Sequence, residues 1–392
     1  MLHRTERELE NIPVGPLGFI PITGCQELGE KVDSYLVEWR KENAATGNYN
    51  YEDYVKDSYI VDAKVPRFGS GEAKAIINES VRGKDIFIMV DVCNYSLTYS
   101  LSGKTNHMSP DDHYQNLKRV IAAISGKARR INVIMPFLYE SRQHKRTSRE
   151  SLDCALALQE LVSMGVDNII TFDAHDPRVQ NAIPLHGFET VRPTYQFVKG
   201  LLEKYDDLKI ESEHMMAISP DEGATERAIY LANVLGLDMG MFYKRRDYTK
   251  IVNGRNPIVA HEFLGSSVEG KDVIIVDDMI SSGDSMLDVA KQLKDRKANR
   301  IFTASTFGLF TNGLEKFDEA YEQGILHGVL TTNLIYQTPE LLSRDWYINC
   351  DFSKYIANII HTLNHDGSIS SILNPSKRIQ AIAEKYRNGE EL

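Results

Sequence analysis

Short apolar runs recur along the chain, and the stretches between them carry apolar residues at three- and four-residue spacing. Segments 85–90, 131–135, 168–172, 215–218, 273–276 and 301–304 are apolar or β-branched at nearly every position. A strand of that composition is buried on both faces. Segments 114–124, 152–163, 224–235 and 286–293 repeat apolar positions with helical period. Strand and helix in alternation predict parallel sheets covered by helices, an α/β fold. A weak internal echo supports a duplicated unit: Val81-Arg82-Gly83-Lys84-Asp85 and Val268-Glu269-Gly270-Lys271-Asp272 each feed a strand. Two unrelated strands entered by similar turns is the alternative, and a boundary between copies is expected near 193–213. Residues 1 to about 60 show no clear strand periodicity. Residues 340–392 look helical, with Ile356, Ile359, Ile360 and Leu363 on one face. Both ends read as packing or assembly elements. The expected division is 1–60, 61–195, 196–340 and 341–392.

A chain of 392 residues with 42% hydrophobic content can bury two ordinary cores. Its formal net charge of −10 argues against an extended nucleic-acid surface, since such binding rests on neutralising phosphates. The basic runs 142–149 and 244–246 therefore need a local reason. Cys25, Cys93, Cys154 and Cys350 are widely spaced, with no Cys-x-x-Cys pair and no secretory apolar segment, which predicts a reduced, cytoplasmic setting. No apolar run approaches the roughly 20 residues of a membrane span.

The run 273–286 carries the most chemistry. Its strand ends in Asp277-Asp278-Met279-Ile280, followed by Ser281-Ser282-Gly283-Asp284-Ser285 and a helical pattern. A turn that opens a helix offers unpaired N–H groups and a dipole that favours phosphate. Ser281, Ser282 and Ser285 add hydroxyl donors, and Gly283 permits close backbone approach. Asp277 and Asp278 can accept from ribose hydroxyls or reach Mg²⁺. The set suits a sugar phosphate; a capped turn with solvated acids is the plainer alternative.

This run resembles the ribose-phosphate loop of the type I phosphoribosyltransferase fold, and further motifs resemble one branch of it, the ribose-phosphate pyrophosphokinases. Phe68-Gly69-Ser70-Gly71-Glu72 followed by Glu79-Ser80-Val81-Arg82-Gly83-Lys84-Asp85 is similar to that family's Phe-Ser-(Asp/Asn)-Gly-Glu and Glu-Ser-Val-Arg-Gly-x-Asp. Pro136-Phe137-Leu138-Tyr139-Glu140-Ser141-Arg142-Gln143-His144 resembles its Pro-Tyr-x-x-Tyr-Ala-Arg-Gln-Asp, and Asp173-Ala174-His175 its Asp-Leu-His. Ser219-Pro220-Asp221-Glu222-Gly223 resembles Ser-Pro-Asp-x-Gly, and Tyr243-Lys244-Arg245-Arg246 resembles His-Lys-x-Arg at the start of a catalytic loop.

The resemblance implies two tandem type I phosphoribosyltransferase-like domains, each a mostly parallel sheet flanked by helices, with N- and C-terminal extensions. It implies transfer of the diphosphoryl group of MgATP to the C1 hydroxyl of ribose 5-phosphate, giving phosphoribosyl pyrophosphate (PRPP) and AMP. Carried over position by position, Lys244 and Arg246 are catalytic cations, and Phe68, Ser70, Glu72, Arg142, Gln143 and His175 contact ATP. Asp277, Asp278, Ser281, Ser282, Gly283, Asp284 and Ser285 bind ribose 5-phosphate, with His175 and Asp221 as contacts for Mg²⁺. Residues 247–264 would form a lid. A homo-oligomer, dimer or hexamer, is also implied, with neither nucleic acid nor membrane as partner. Ser70, His144, Ser281 and Asp284 depart from the family pattern. Asp284 puts an anion near the expected phosphate, a repulsion unless its side chain turns outward or binds metal. A transferase consuming PRPP and a silent regulatory paralogue are the rival readings.

Overall fold

The computed structural model describes residues 12–45, 53–246 and 258–392. They divide into two compact units. The first comprises residues up to 192 with 333–336 and 351–374; the second comprises 193–332, 337–350 and 375–392.

The first unit is built on a five-stranded, wholly parallel sheet: β1 (Leu17–Pro21), β2 (Asp85–Met89), β3 (Arg130–Ile134), β4 (Asn168–Phe172) and β5 (Gly187–Val191), paired in chain order. Ile86, Ile88 and Val90 pack with Leu117, Val120 and Leu158 of helices Pro110–Ile124 and Asp153–Ser163 in one core. Strand alternation sends Phe87 the other way. The segment before residue 60 thus supplies a strand of the sheet and the helix Gln26–Ala45, although neither shows in the sequence pattern. β1 is short, contains Gly18 and ends in Pro21, which hides its period. A Cβ on Gly18 would meet Ile86 Cδ1 at 2.6 Å, so glycine is what lets β1 lie against β2.

The second unit holds a seven-stranded sheet of β6 (Met215–Ser219), β7 (Asp238–Arg246), β8 (Ile258–Leu264), β9 (Asp272–Ile280), β10 (Ile301–Gly308), β11 (Gly328–Thr332) and β12 (Tyr347–Cys350). The order is β8-β7-β6-β9-β10-β11-β12, and only the β7–β8 pair is antiparallel. β9 is central. Ile274 and Val276 pack with Leu231 and Ile379 on one face, while Val273 and Ile275 pack with Leu287 and Phe317 on the other. Two covered faces explain the continuous apolar run.

The C-terminal stretch is shared between the units. Its helical face forms helix Ser353–Asn364 with the first, and helix Ser376–Arg387 packs with the second. The stretch expected as a lid is in part regular: 258–264 is strand β8, while 247–257 lie outside the described residues.

The sequence echo is a structural one. Gly83 and Gly270 have φ of 72° and 74°, as the turn before each strand demands. Their N–H groups donate to Lys127 O at 3.0 Å and Lys297 O at 2.9 Å. Asp85 then opens β2 and receives Arg130 on both oxygens, at 2.9 and 2.8 Å. Asp272 opens β9 and receives Arg300 the same way, with Nη2 on Oδ2 at 2.7 Å and Nε on Oδ1 at 3.2 Å. Each strand start is pinned by a two-pronged arginine from the start of its neighbour, a geometry that suits a buried carboxylate.

Candidate active site

In the second unit the acid pair stands at the carboxyl end of the central strand, where open α/β sheets bind ligands. Asp278 is buried and Asp277 half-buried. The Asp278 N–H donates to Asp277 Oδ1 at 2.8 Å. Burial, then the neighbouring Asp278 and, more weakly, Asp221 push the Asp277 carboxyl well above its ordinary range. Like charges held this close call for a cation or for hydroxyl donors.

The turn that follows is held from two sides. Leu309 and Thr311 N–H donate to Ile280 O and Ser281 O, each at 2.9 Å. Gly283 has φ of 86°, and a Cβ there would stand 2.4 Å from the Phe317 ring. It is the N-cap of helix Asp284–Asp295 and has no side chain with which to cap that end. The Asp284 N–H makes one long bond to Ser282 Oγ, at 3.4 Å. The start of this helix is therefore open to an anion. Ser281 and Ser282 are half-buried; Asp284 and Ser285 are exposed. Asp284 does turn aside: its carboxylate bonds Lys316 Nζ and is held below the usual range by it.

Asp221, in the turn between β6 and helix Thr225–Leu235, accepts from Gly223 and Ala224 N–H at 2.9 and 3.3 Å through Oδ1. That oxygen shapes the turn. Among the described residues no three His, Cys, Asp or Glu side chains gather into a metal cage. A hard ion that keeps waters and substrate phosphates fits such an open oxygen set; a preformed protein cage is not required. Lys244 and Arg246 are in β7, in register with His261 and Ile258 of β8, with a bulge between Arg245 and Arg246. They therefore stand at the end of β7, and residues 247–257, which follow, lie outside the described residues.

The residues of the first unit are carried by loops. Phe68 is 52% exposed on a tight turn closed by Phe68 N–H to Glu72 O and Gly71 N–H to Phe68 O. Ser70 Oγ donates to Glu72 at 2.8 Å, so these two predicted contacts are joined to each other. Arg67 fixes the turn by reaching Gly71 O and Asp112. Arg142 is exposed, and Gln143 spends its amide on Lys145 O and Ser151 O within its own loop. Tyr139 ties that loop to Asp111 at 2.6 Å and stacks on Tyr114 at 4.2 Å. One helix N-terminus, Pro110–Ile124, thus anchors both loops through adjacent acids. No local pattern signals this, because the partners lie 45 and 28 positions apart.

His175 is exposed just past β4, with its ring 5.3 Å from that of His144. His144 Nε2 lies 3.5 Å from Asp176, whose carboxyl is drawn down to about 2, chiefly by its hydrogen bonds from Arg178. Burial holds the His144 imidazole below its usual value. His144 thus stands beside His175 at the position where the family has an acid.

Comparison with known proteins agrees with this geometry. Residues 18–165 match the model for the N-terminal domain of ribose phosphate pyrophosphokinase, and 189–339 match the phosphoribosyl transferase domain. A ribose-phosphate pyrophosphokinase of Vibrio cholerae is 30% identical over 318 residues, 80% of this chain and 91% of that protein. One of Pasteurella multocida is 30% identical over 314 residues, 79% and 90% of the two chains. The crystal structure of phosphoribosylpyrophosphate synthetase from Mycobacterium smegmatis shares the fold, with a TM-score of 0.70 at 22% identity over 90% of this chain and 99% of that one. With both domain models matched in order and nine-tenths of curated relatives covered, the chain belongs to the ribose-phosphate pyrophosphokinase family.

Proposed function

We propose that the chain is a ribose-phosphate diphosphokinase, moving the β,γ-diphosphoryl group of MgATP to the C1 hydroxyl of ribose 5-phosphate and releasing AMP. The observation that carries this reading is the acid pair Asp277–Asp278, leading into an open, hydroxyl-rich helix start on the central strand. Asp277 and Asp278 accept from the ribose hydroxyls. Ser281, Ser282 and Ser285, with the N–H groups after Gly283, bind the 5-phosphate. Phe68 offers a ring for the adenine, beside the Ser70–Glu72 pair. Arg142 and His175 meet the triphosphate, and Gln143 holds the loop that carries Arg142. Lys244 and Arg246 stabilise charge that grows on the departing α-phosphate oxygen, the largest contribution open to a phosphoryl transfer without covalent intermediate.

Mg²⁺, held by Asp277 and Asp221 and completed by water and phosphate oxygens, would neutralise phosphate charge. His175, a nitrogen donor, serves better as a phosphate contact than as a ligand of so hard an ion. Among the described residues no helix is long and apolar enough to cross a membrane. All four thiols are unpaired, which fits a reducing cytoplasm, and the family resemblance suggests a dimer or hexamer that light scattering would read.

The deciding assay is AMP formation from MgATP with and without ribose 5-phosphate, while PRPP is followed directly. Sugar-dependent AMP and PRPP in equal amounts are expected. ATP binding without turnover would transfer the protein to the silent regulatory class.

A further inference from the structure

Helix Glu315–Glu322 brings a cation to the ribose-phosphate turn that the family motif does not contain. Lys316 bonds Asp284, the first residue of helix Asp284–Asp295. Its neighbour Phe317 is fully buried, with its ring filling the space beneath Gly283. The N–H of Thr311 donates to Ser281 O, so the segment leading to Lys316 is fastened to the same turn. The Lys316 backbone is therefore placed by the packing of the turn itself. The ion pair is half exposed at both ends, 57% for Lys316 and 51% for Asp284. Pairs so exposed add little to folding. A carboxylate in the first turn is already favoured by the helix dipole without a partner.

We propose that Lys316 is a ligand of the sugar 5-phosphate, held beside the turn by Asp284, and that the pair sets affinity for the sugar phosphate. The inference rests on the ribose-phosphate reading of the turn. Asp284 alone would repel the incoming dianion. Paired with Lys316 it is neutralised, and it keeps a flexible ammonium from swinging into solvent. When phosphate arrives, the ammonium turns between carboxylate and phosphate oxygens, giving back in charge-assisted contact what the acid takes away. The pair thereby answers the departure at Asp284, and a motif read along one stretch of chain could not show it.

The test is steady-state kinetics of the full chain and its K316A, K316R, D284N and K316A/D284N variants, with calorimetric binding of ribose 5-phosphate to each. K316A is expected to raise KM for ribose 5-phosphate about tenfold or more, the loss of a charged contact, with KM for ATP unmoved. K316R should recover most of the loss. In the double variant the penalty on KM for the sugar should shrink, because the acid left unpaired in K316A is gone; a pair that serves only the fold would show its coupling in melting and leave that KM alone. An unchanged KM for the sugar in K316A, or an equal rise in KM for ATP, would overturn the proposal. Failure of the functional reading looks different: the unaltered protein would make no PRPP, and Lys316 would then be judged by whether its removal weakens calorimetric binding. No sugar binding even to the unaltered protein would end both.

Discussion

The two sheets offer the same strand twice with opposite outcomes. Counting on from Asp85 and from Asp272, Val90–Asp91 falls where the second unit has Asp277–Asp278. In the first unit valine stands at one of the two positions, and the acid at the other is held by the backbone. Asp91 is buried, with one oxygen on Cys93 N–H at 2.8 Å and the other on Tyr336 N–H at 2.7 Å. In the second unit two acids crowd one another, and burial and then Asp278 push the Asp277 carboxyl up. The starts of the two strands, in contrast, are alike: Asp85 and Asp272 each hold a neighbouring arginine. The structural acid is present in both units. The far ends of the two strands differ, with an acid pair in one and a backbone clamp in the other. An acid whose oxygens are met by fixed donors serves the fold, and two acids that crowd each other at a strand end are what the proposed ligand site rests on.

The largest effect should come from the strand starts. Asp85→Ala removes the acid met by Arg130, Asn132 and Asn364 and leaves a half-buried guanidinium with only the Leu363 carbonyl and the exposed Asp366 to meet it. Breaking a buried pair from one side costs about 3–5 kcal/mol. Asp272→Ala should cost the second unit somewhat less, because Arg300 keeps Asp207, read by denaturant unfolding with tryptophan and circular-dichroism signals compared. If only one of the two destabilises, the equivalence of the strand starts fails.

Next in size is the strand end. Asp278→Asn should lower kcat/KM for ribose 5-phosphate by ~10²-fold, about 2.7 kcal/mol of barrier, without loss of thermal stability. Relief of the Asp277–Asp278 repulsion favours the folded state, so a melting temperature that fell with activity would make the pair structural after all.

Smaller again is the turn. Gly283→Ala imposes a side chain at φ of 86° and a contact with Phe317 too close to hold. Strain of this kind costs on the order of 2 kcal/mol. The shift should appear both in melting and in KM for the sugar. Melting unchanged by the methyl would mean that the turn is looser than its packing implies.

β9 and its turn can be read from the amino-acid sequence because strand, acids, hydroxyls and helix start are contiguous, so local chemistry and periodicity describe one object. β2, β3, β4, β6 and β10 are legible for the same reason. β1 is hidden by Gly18 and Pro21, and β5 and β12 by their partial exposure or shortness. The loops around Phe68 and Arg142 are legible as motifs only. What fixes them, Arg67 on Asp112 and Tyr139 on Asp111, depends on long-range contacts that no window of sequence contains. The Lys316–Asp284 pair is hidden likewise, since 32 positions separate the two residues. Without its lysine the acid reads as a defect in the phosphate turn.

The mildest prediction concerns the acid held by the backbone. Burial lifts the Asp91 carboxyl to about 7, against the pull of its two backbone N–H donors. In the unfolded chain it would ionise near ~4. Between about pH 4 and 7 the folded state therefore holds the proton that the unfolded state has released. This group's contribution to stability is complete below the lower value and is lost as pH rises through the upper one. The neighbouring thiols of Cys25 and Cys93 are pushed up and stay neutral throughout, so they add no slope. Asp91→Asn keeps one acceptor oxygen but turns an amide toward one of the two N–H donors. Melting should accordingly be lower than in the parent at about pH 5, and the gap should close by about pH 8. Turnover per folded molecule should not change, because this strand end carries a clamp and no acid pair. A gap independent of pH would remove the proton from the account, and a loss of turnover would mean that the first strand end shares the role proposed for the second.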